Sequence, residues 1–537
     1  MTNLVAGVRT AVRAHPNAAA ISVAGRETTY AEFWALTGRF AGALRERGFE
    51  PGAPVALSLP NLPQFVVAFY GVLRAGGTVV PIDPRYDESE IRPPLTESAA
   101  VAIVTTGDHV DRIEAVHEHT ILQFMITADG PGQYSTGFSE FLAEAPDVYD
   151  YWEVTDRDAD DVAVLAYTAG TTADPKGVAL THHNVASNTH AISDLAPDGI
   201  SPTDRVLGGL PFFHSAGMTT VMNATLTSGG TLVPMHSWDA GTALSLIESE
   251  EITMFHGHPE MYTGLVAHPD AGESDLSSLR MASVFGAPVH AELLDECEKT
   301  FGVPIYEGYG VTETTHLTHF NAPTGGRRIG SVGKPIDGAS ARIVDDAFED
   351  ISPVEEGPVD GTALDGITGE LVVSGPNVMA QYHGYAEKHE EPFTEDDGKR
   401  WFHTGDIAYS DEDGYFYVVG RADEIDPGAT DATDEHGDEP EGATAAAPEL
   451  VAEVSEEAEG AEEGTQTETT GETDAEAGVV ELQDLAGISE SRAATLRDAG
   501  FESVADLRAA TREELTAVEG FGDALVDRIE EQVDANE

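Results

Sequence analysis

The chain has 537 residues, 28 of them Lys or Arg and 96 Asp or Glu, for a net charge of −68. No apolar run approaches the about 18 residues of a membrane span, and the start, Met1-Thr-Asn-Leu-Val-Ala-Gly-Val-Arg, lacks a secretion signal's basic segment and long apolar core. A single cysteine, Cys297, excludes an internal disulfide and a thiolate metal cluster, so the expectation is a multidomain cytoplasmic protein with no membrane span.

Along the first part of the chain, strand-like and helix-like runs alternate. Ala53-Pro-Val-Ala-Leu-Ser-Leu-Pro predicts a strand and Gln64–Arg74 a helix; Thr78-Val-Val-Pro-Ile and Ala102-Ile-Val-Thr are further strands. Such alternation predicts an α/β layer fold. Val162-Ala-Val-Leu-Ala-Tyr167 reads as a buried strand opening into Thr168-Ala-Gly-Thr-Thr-Ala-Asp-Pro-Lys176-Gly-Val. Backbone N–H groups of such a turn can point at phosphate oxygens, with hydroxyls from Thr168, Thr171 and Thr172 as further donors. Lys176 adds a mobile charge for terminal phosphates. The spacing Gly170-x-x-x-x-Pro175-Lys176 is not that of the P-loop NTPases.

Further on, Leu210-Pro-Phe-Phe-His-Ser-Ala-Gly217 places two aromatics and a histidine together. His256-Gly-His258 and His316-Leu-Thr-His319 have spacings a metal could use, but no further ligands accompany them. Cys297 reads as a buried helix residue. From about Gly330 to Gly420 short strands with turns predict a small β-rich subdomain: Ser340-Ala-Arg-Ile-Val, Glu370-Leu-Val-Val-Ser and Tyr415-Phe-Tyr-Val-Val. Asp426 to Ala477 holds no Lys or Arg and reads as an extended, self-repelling linker. After it, Leu482–Leu496 and Leu515–Ile529 form two similar units that resemble a tandem helix–hairpin–helix domain, the second keeping Gly520-Phe-Gly522 and the first having Ser489 at the second glycine. Residues 479–537 carry 5 basic and 15 acidic residues, a net of −10. DNA binding needs cations to displace counterions, so a protein-docking or tethering tail is favoured, with DNA association as the rival.

Five segments in order carry a family resemblance: the lysine loop, Glu307-Gly-Tyr-Gly-Val-Thr-Glu313, Gly369-Glu-Leu-Val-Val-Ser-Gly-Pro376, Trp401-Phe-His-Thr-Gly-Asp406 and Gly420-Arg-Ala-Asp423. Together they resemble the motifs of adenylate-forming enzymes: acyl-CoA synthetases, peptide-synthetase adenylation domains and luciferases. The likeness runs from about Thr29 to Ile425, and Leu59-Pro-Asn-Leu-Pro-Gln-Phe with Val72-Leu-Arg-Ala-Gly-Gly is most similar to fatty acyl-CoA synthetases.

The resemblance implies two layered α/β subdomains plus the β-rich one within residues 1–425, followed by the linker 426–478 and the helical domain 479–537. It implies that Thr168, Gly170, Thr171, Thr172 and Lys176 hold the β- and γ-phosphates of ATP, that Glu313 binds Mg²⁺ and that Thr312 donates to the α-phosphate. Asp406 and Arg421 would hold the ribose. Gly286-Ala287-Pro288 and Tyr309 would form the adenine site, with Glu307 in the same nucleotide segment. Phe212, Phe213, His214 and Gly217 would line the acid pocket, and Asp423 would be the hinge.

The implied reaction joins a carboxylic acid, by expectation a fatty acid, to CoA by way of an acyl adenylate. Ala169 and Ala173 depart from the family's usual Ser and Gly. The family's second domain, with its lysine, does not follow Asp423, and no lysine follows Lys399. The expectation is therefore a ligase that draws this domain from a separate chain or runs slowly. The alternatives are a non-catalytic nucleotide- or adenylate-binding protein with a docking tail, and a DNA-associated protein. Acid spread over the whole chain, with only five lysines, resembles proteins of organisms that keep molar salt inside the cell. At about 1 M salt the Debye length falls to some 3 Å and self-repulsion is screened.

Overall fold

A computed structural model describes residues 3–146, 151–168, 175–323, 326–359, 364, 366–384, 392–422 and 501. The chain divides into two compact units, Met1–Gly460 and Ala461–Glu537, and the elements below all belong to the first. The linker, the helix–hairpin–helix segment save Phe501, and the expected domain boundaries near 425 and 478 lie outside the described residues.

Two mostly parallel sheets and one antiparallel sheet make up this unit. One sheet has eight strands in the order Gln381–Tyr382, Gly177–Thr181, Val162–Tyr167, Thr78–Pro81, Pro54–Leu57, Ala102–Thr105, Phe124–Thr127, Ser135–Gly137. The other has nine: Lys334–Pro335, His319–Phe320, Ile305–Tyr309, Met281–Val284, Met254–Gly257, Arg205–Gly208, Thr231–Pro234, Ala19–Val23, Arg26–Thr29. Their central pairs are parallel; antiparallel pairs lie at both edges of the nine-stranded sheet and at the Gln381–Tyr382 edge of the eight-stranded one, whose Ser135–Gly137 edge is parallel. The central strands are buried throughout, as in Thr78–Pro81 and Met281–Val284, which is why they read as unbroken apolar runs rather than alternating ones. The expected β-rich subdomain is a five-stranded antiparallel sheet of Ser340–Val344, Gly369–Ser374, Phe393–Asp396, Lys399–Ser410 and Phe416–Arg421.

Local signals set the helices. Pro63 opens the helix Pro63–Arg74 at a position where its missing N–H costs nothing. Thr29 with Glu32, and Asp87 with Glu90, close reciprocal caps on two others. Cys297 is buried on the helix Ala291–Phe301, and burial pushes its thiol up to about 12, so it is inert packing.

Arg74 is wholly buried, donating to the carbonyls of Trp34, Tyr151 and Glu153 and lying 3.8 Å from the Trp34 ring centre. Arg280 grips the buried Asp204 through two bonds of 2.6 and 2.8 Å at the foot of the nine-stranded sheet. Among the described residues no helix is long and apolar enough to cross a membrane.

Candidate active site

The lysine loop is the tip of a hairpin. Val162–Tyr167 and Gly177–Thr181 pair antiparallel with Tyr167 opposite Gly177. The neck is closed twice: Thr168 N donates to Lys176 O at 3.1 Å, and Lys176 N to Thr168 Oγ1 at 3.2 Å. The tip, with Gly170, Thr171, Thr172 and the departures Ala169 and Ala173, lies outside the described residues.

Tyr382 lies on the strand added at the hairpin's edge, opposite Val178. Its ring centre is 5.0 Å from Lys176 Nζ, and its hydroxyl donates to Glu313 Oε1 at 2.7 Å. Lys176 and Glu313, far apart in sequence, are thus joined through one tyrosine that the motifs do not contain.

Glu313 owes its position to buried asparagines. It sits on the short turn Thr312–Thr314, and its carbonyl accepts from Met379 N at 2.7 Å. Asn184, on the helix that follows the lysine hairpin, donates to the carbonyls of Pro376 and Val378 at 2.8 and 2.9 Å. Asn188, one turn on, holds Leu317 through both its carbonyl and its N–H at 2.7 and 3.2 Å. Asn377 donates to Thr314 O and Leu317 O, and its carbonyl accepts the Thr315 hydroxyl at 2.7 Å. Thr315 itself has φ +67, a conformation that a β-branched residue rarely takes. Gly310 permits the return of the chain: a Cβ there would fall 1.4 Å from His316 O.

At the other margin, Asp406 on Lys399–Ser410 lies opposite Arg421 on Phe416–Arg421. Its side chain is 2% exposed, accepts from the Tyr309 hydroxyl at one oxygen and lies 3.5 Å from Arg421 Nη1 at the other. Burial first, then the Asp406 carboxylate, pushes the Tyr309 phenol well up, so it remains a donor at neutral pH. Gly286 turns at φ +93 after the strand Met281–Val284, with Ala287 half-buried and Pro288 exposed.

Glu307 stands apart from this group. One oxygen accepts from Asn321 Nδ2 and the other from Gly330 N, both at 2.8 Å. Burial pushes its carboxyl up. The geometry makes it a brace between the strand Ile305–Tyr309 and the loop that follows.

At the expected acid pocket, Phe212 is wholly buried against Phe65, with its backbone N donating to Asn61 Oδ1 at 2.7 Å. It belongs to the core, whereas Phe213 and His214 beside it are half-buried. Gly217 is required by close approach, since a Cβ would lie 2.1 Å from Pro211 O. Burial holds the His214 imidazole below its ordinary value; nearby Asp83 opposes this and His258 adds to it. Phe285, with His256 and His316 at ring-centre distances of 6.2 and 5.1 Å, continues this side up to the Gly286 turn.

A cation could be held only in part by the protein. Glu313 offers a hard carboxylate oxygen beside the lysine hairpin, and that fits a Mg²⁺ drawing its other ligands from phosphate and water. Among the described residues no three His, Cys, Asp or Glu side chains converge on one ion, so neither histidine pair builds a cage.

The two α/β sheets with the appended β sheet are the fold of the N-terminal domain of adenylate-forming enzymes. The ATP-bound crystal structure of MatB from Rhodopseudomonas palustris matches 79% of each chain with a TM-score of 0.70 at 29% identity. The pattern of the AMP-binding enzyme family spans residues 8–383, and the chain belongs to that family. It is 32% identical over 438 residues to a long-chain-fatty-acid–CoA ligase of Bacillus subtilis, covering 76% of this chain and 75% of that one. It is 34% identical over 410 residues to a feruloyl-CoA synthase of an Amycolatopsis species, covering 76% of both. Residues 479–533 match the SAM-like helix-hairpin-helix tandem.

Proposed function

We propose that the protein is an AMP-forming carboxylic acid–CoA ligase. The observation that carries this reading is the Lys176–Tyr382–Glu313 group at the neck of the phosphate-type hairpin. A carboxylate oxygen of the acid attacks the α-phosphorus of ATP, the bond to the bridging oxygen breaks, and pyrophosphate leaves. The CoA thiolate then takes the acyl group, and AMP departs.

Lys176 neutralises charge that builds on the departing phosphates, in a place where preorganised donors act strongly. Tyr382 keeps Lys176 and Glu313 in register. Magnesium, held by Glu313, supplies further charge neutralisation on phosphate oxygen. Thr312 starts the turn that carries Glu313 and serves the α-phosphate. The ribose hydroxyls compete for the two oxygens of Asp406 now engaged with Tyr309 and Arg421, while Gly286, Ala287, Pro288 and Tyr309 receive the base.

The N-terminal text resembling fatty acyl-CoA synthetases supports a fatty acid as substrate, and the proposed setting is the cytoplasm. The reading includes a separate chain that supplies the cation the family resemblance expects for the adenylation step, and the acidic tail at 479–537 is suited to dock it. Acid-dependent ATP–pyrophosphate exchange in molar KCl with Mg²⁺ tests the proposal. Exchange with any acid is expected, and silence with every acid despite ATP binding would sink it.

A further inference from the structure

The region around the expected acid pocket contains more buried nitrogen than its own contacts use. His256 and His316 are 3% and 4% exposed. Ser283 Oγ holds His256 Nδ1 at 2.6 Å and so fixes the ring, while Nε2 on the opposite edge has no partner within the protein. His316 Nε2 is buried in the same condition, and so are both ring nitrogens of His258. His258 lies against the Gly286 turn, where a Cβ would come within 2.9 Å of its Cδ2. Phe285 sits between His256 and His316. All three rings therefore gather at the carboxyl ends of the strands Met254–Gly257 and Met281–Val284 and on the segment after Glu313.

Folded proteins rarely keep buried polar atoms unpaired, and those that do usually serve a ligand or an ordered water. Burial holds these rings neutral, His256 at about 4 and His316 at about 3, with His258 also lowered. A neutral imidazole has one N–H donor and one acceptor nitrogen. It pairs with a hydroxyl or carbonyl, and it gives no positive charge for a second carboxylate. A wall for a plain alkyl chain is built from aliphatic groups instead.

We propose that the acid pocket takes a carboxylic acid bearing a second, uncharged oxygen (hydroxyl, phenol or carbonyl) that pairs with one of the unpartnered ring nitrogens of His256, His258 or His316. The inference rests on the ligase reading and narrows its acid to an oxygenated one, aliphatic or aromatic.

The full chain in molar KCl with Mg²⁺ is assayed for acid-dependent pyrophosphate exchange on matched pairs: decanoate against its hydroxy derivatives, and cinnamate against 4-hydroxycinnamate. In at least one pair the oxygenated acid should have a kcat/KM at least about ten-fold higher, since a site built around a hydrogen bond rejects the analogue lacking it. His258→Leu should cut that ratio at least about five-fold, whereas a merely structural role would scale both acids alike. His256→Leu is the second variant should the first fail to fold.

Equal or better use of decanoate and cinnamate overturns the inference and leaves the ligase reading standing. Exchange with no acid overturns the ligase reading. Calorimetric binding of the same pairs with AMP present then decides the inference: the same ranking supports it, and no ranking overturns it.

Discussion

The two sides of the candidate site are built on opposite principles. At the nucleotide margin the charged groups already have partners within the chain: Lys176 with the Tyr382 ring, Glu313 with its hydroxyl, Asp406 with Tyr309 and Arg421. At the acid margin, His256, His258 and His316 keep neutral nitrogens unpaired. Preorganised charge suits a ligand whose chemistry never changes, because the donors need not rearrange when the reaction occurs. Unpaired neutral groups suit selection, because an acid that fails to pair with them leaves their burial uncompensated.

The largest effect expected from breaking this contrast comes from Lys176→Ala, which should lower pyrophosphate exchange about 10²–10³-fold for every acid alike. A loss confined to one acid would place Lys176 at the wrong margin.

Acid should act on the buried rings. Unfolded histidines titrate near about 6.5, whereas His256 does so at about 4 and His316 and His319 at about 3 in the folded chain. Between these values the unfolded state binds more protons, so stability falls as pH falls below about 6.5. From pH 7 to 5 each ring should cost about 2 kcal/mol. His319→Phe, which keeps the packing against Phe416, should flatten the unfolding curve by one ring's share in chemical denaturation at fixed molar salt.

Tyr382→Phe keeps the ring beside Lys176 and removes the bond to Glu313. Exchange should fall only about 3–10-fold, the net worth of one typical intramolecular hydrogen bond. A loss as large as that of Lys176→Ala would make the tyrosine more than a spacer. Dialysis from molar to low salt should lower the melting temperature through self-repulsion of the acidic chain, with the pH response of the buried rings persisting wherever the chain stays folded.

What was legible in the sequence was local. The strand before the lysine loop and the β-rich subdomain each sit in a short run whose residue types state their structure, and the proposed roles of Lys176, Glu313 and Asp406 come from runs just as short. Tyr382 and Asn184 were missed because their partners are 69 and 194 positions away, and no short window contains both. Single asparagines in an otherwise packing helix were the available signal. Phe212 and Glu307 were read by neighbourhood in a motif, whereas the fold buries the first against Phe65 and spends the second on Asn321 and Gly330. The histidines were noticed for a spacing that suits metals. Their significance lies in what surrounds each ring, which spacing does not report.

Thr315 stands where the two margins meet, two residues after Glu313 and one before His316. Its left-handed backbone carries strain of about 1–3 kcal/mol, held by Asn377 on one side and Thr219 on the other. A joint fixed from both flanks decouples its neighbours. Substitutions on the imidazole side should therefore leave the phosphate side in place, so that preference among acids and handling of phosphate can be altered one at a time.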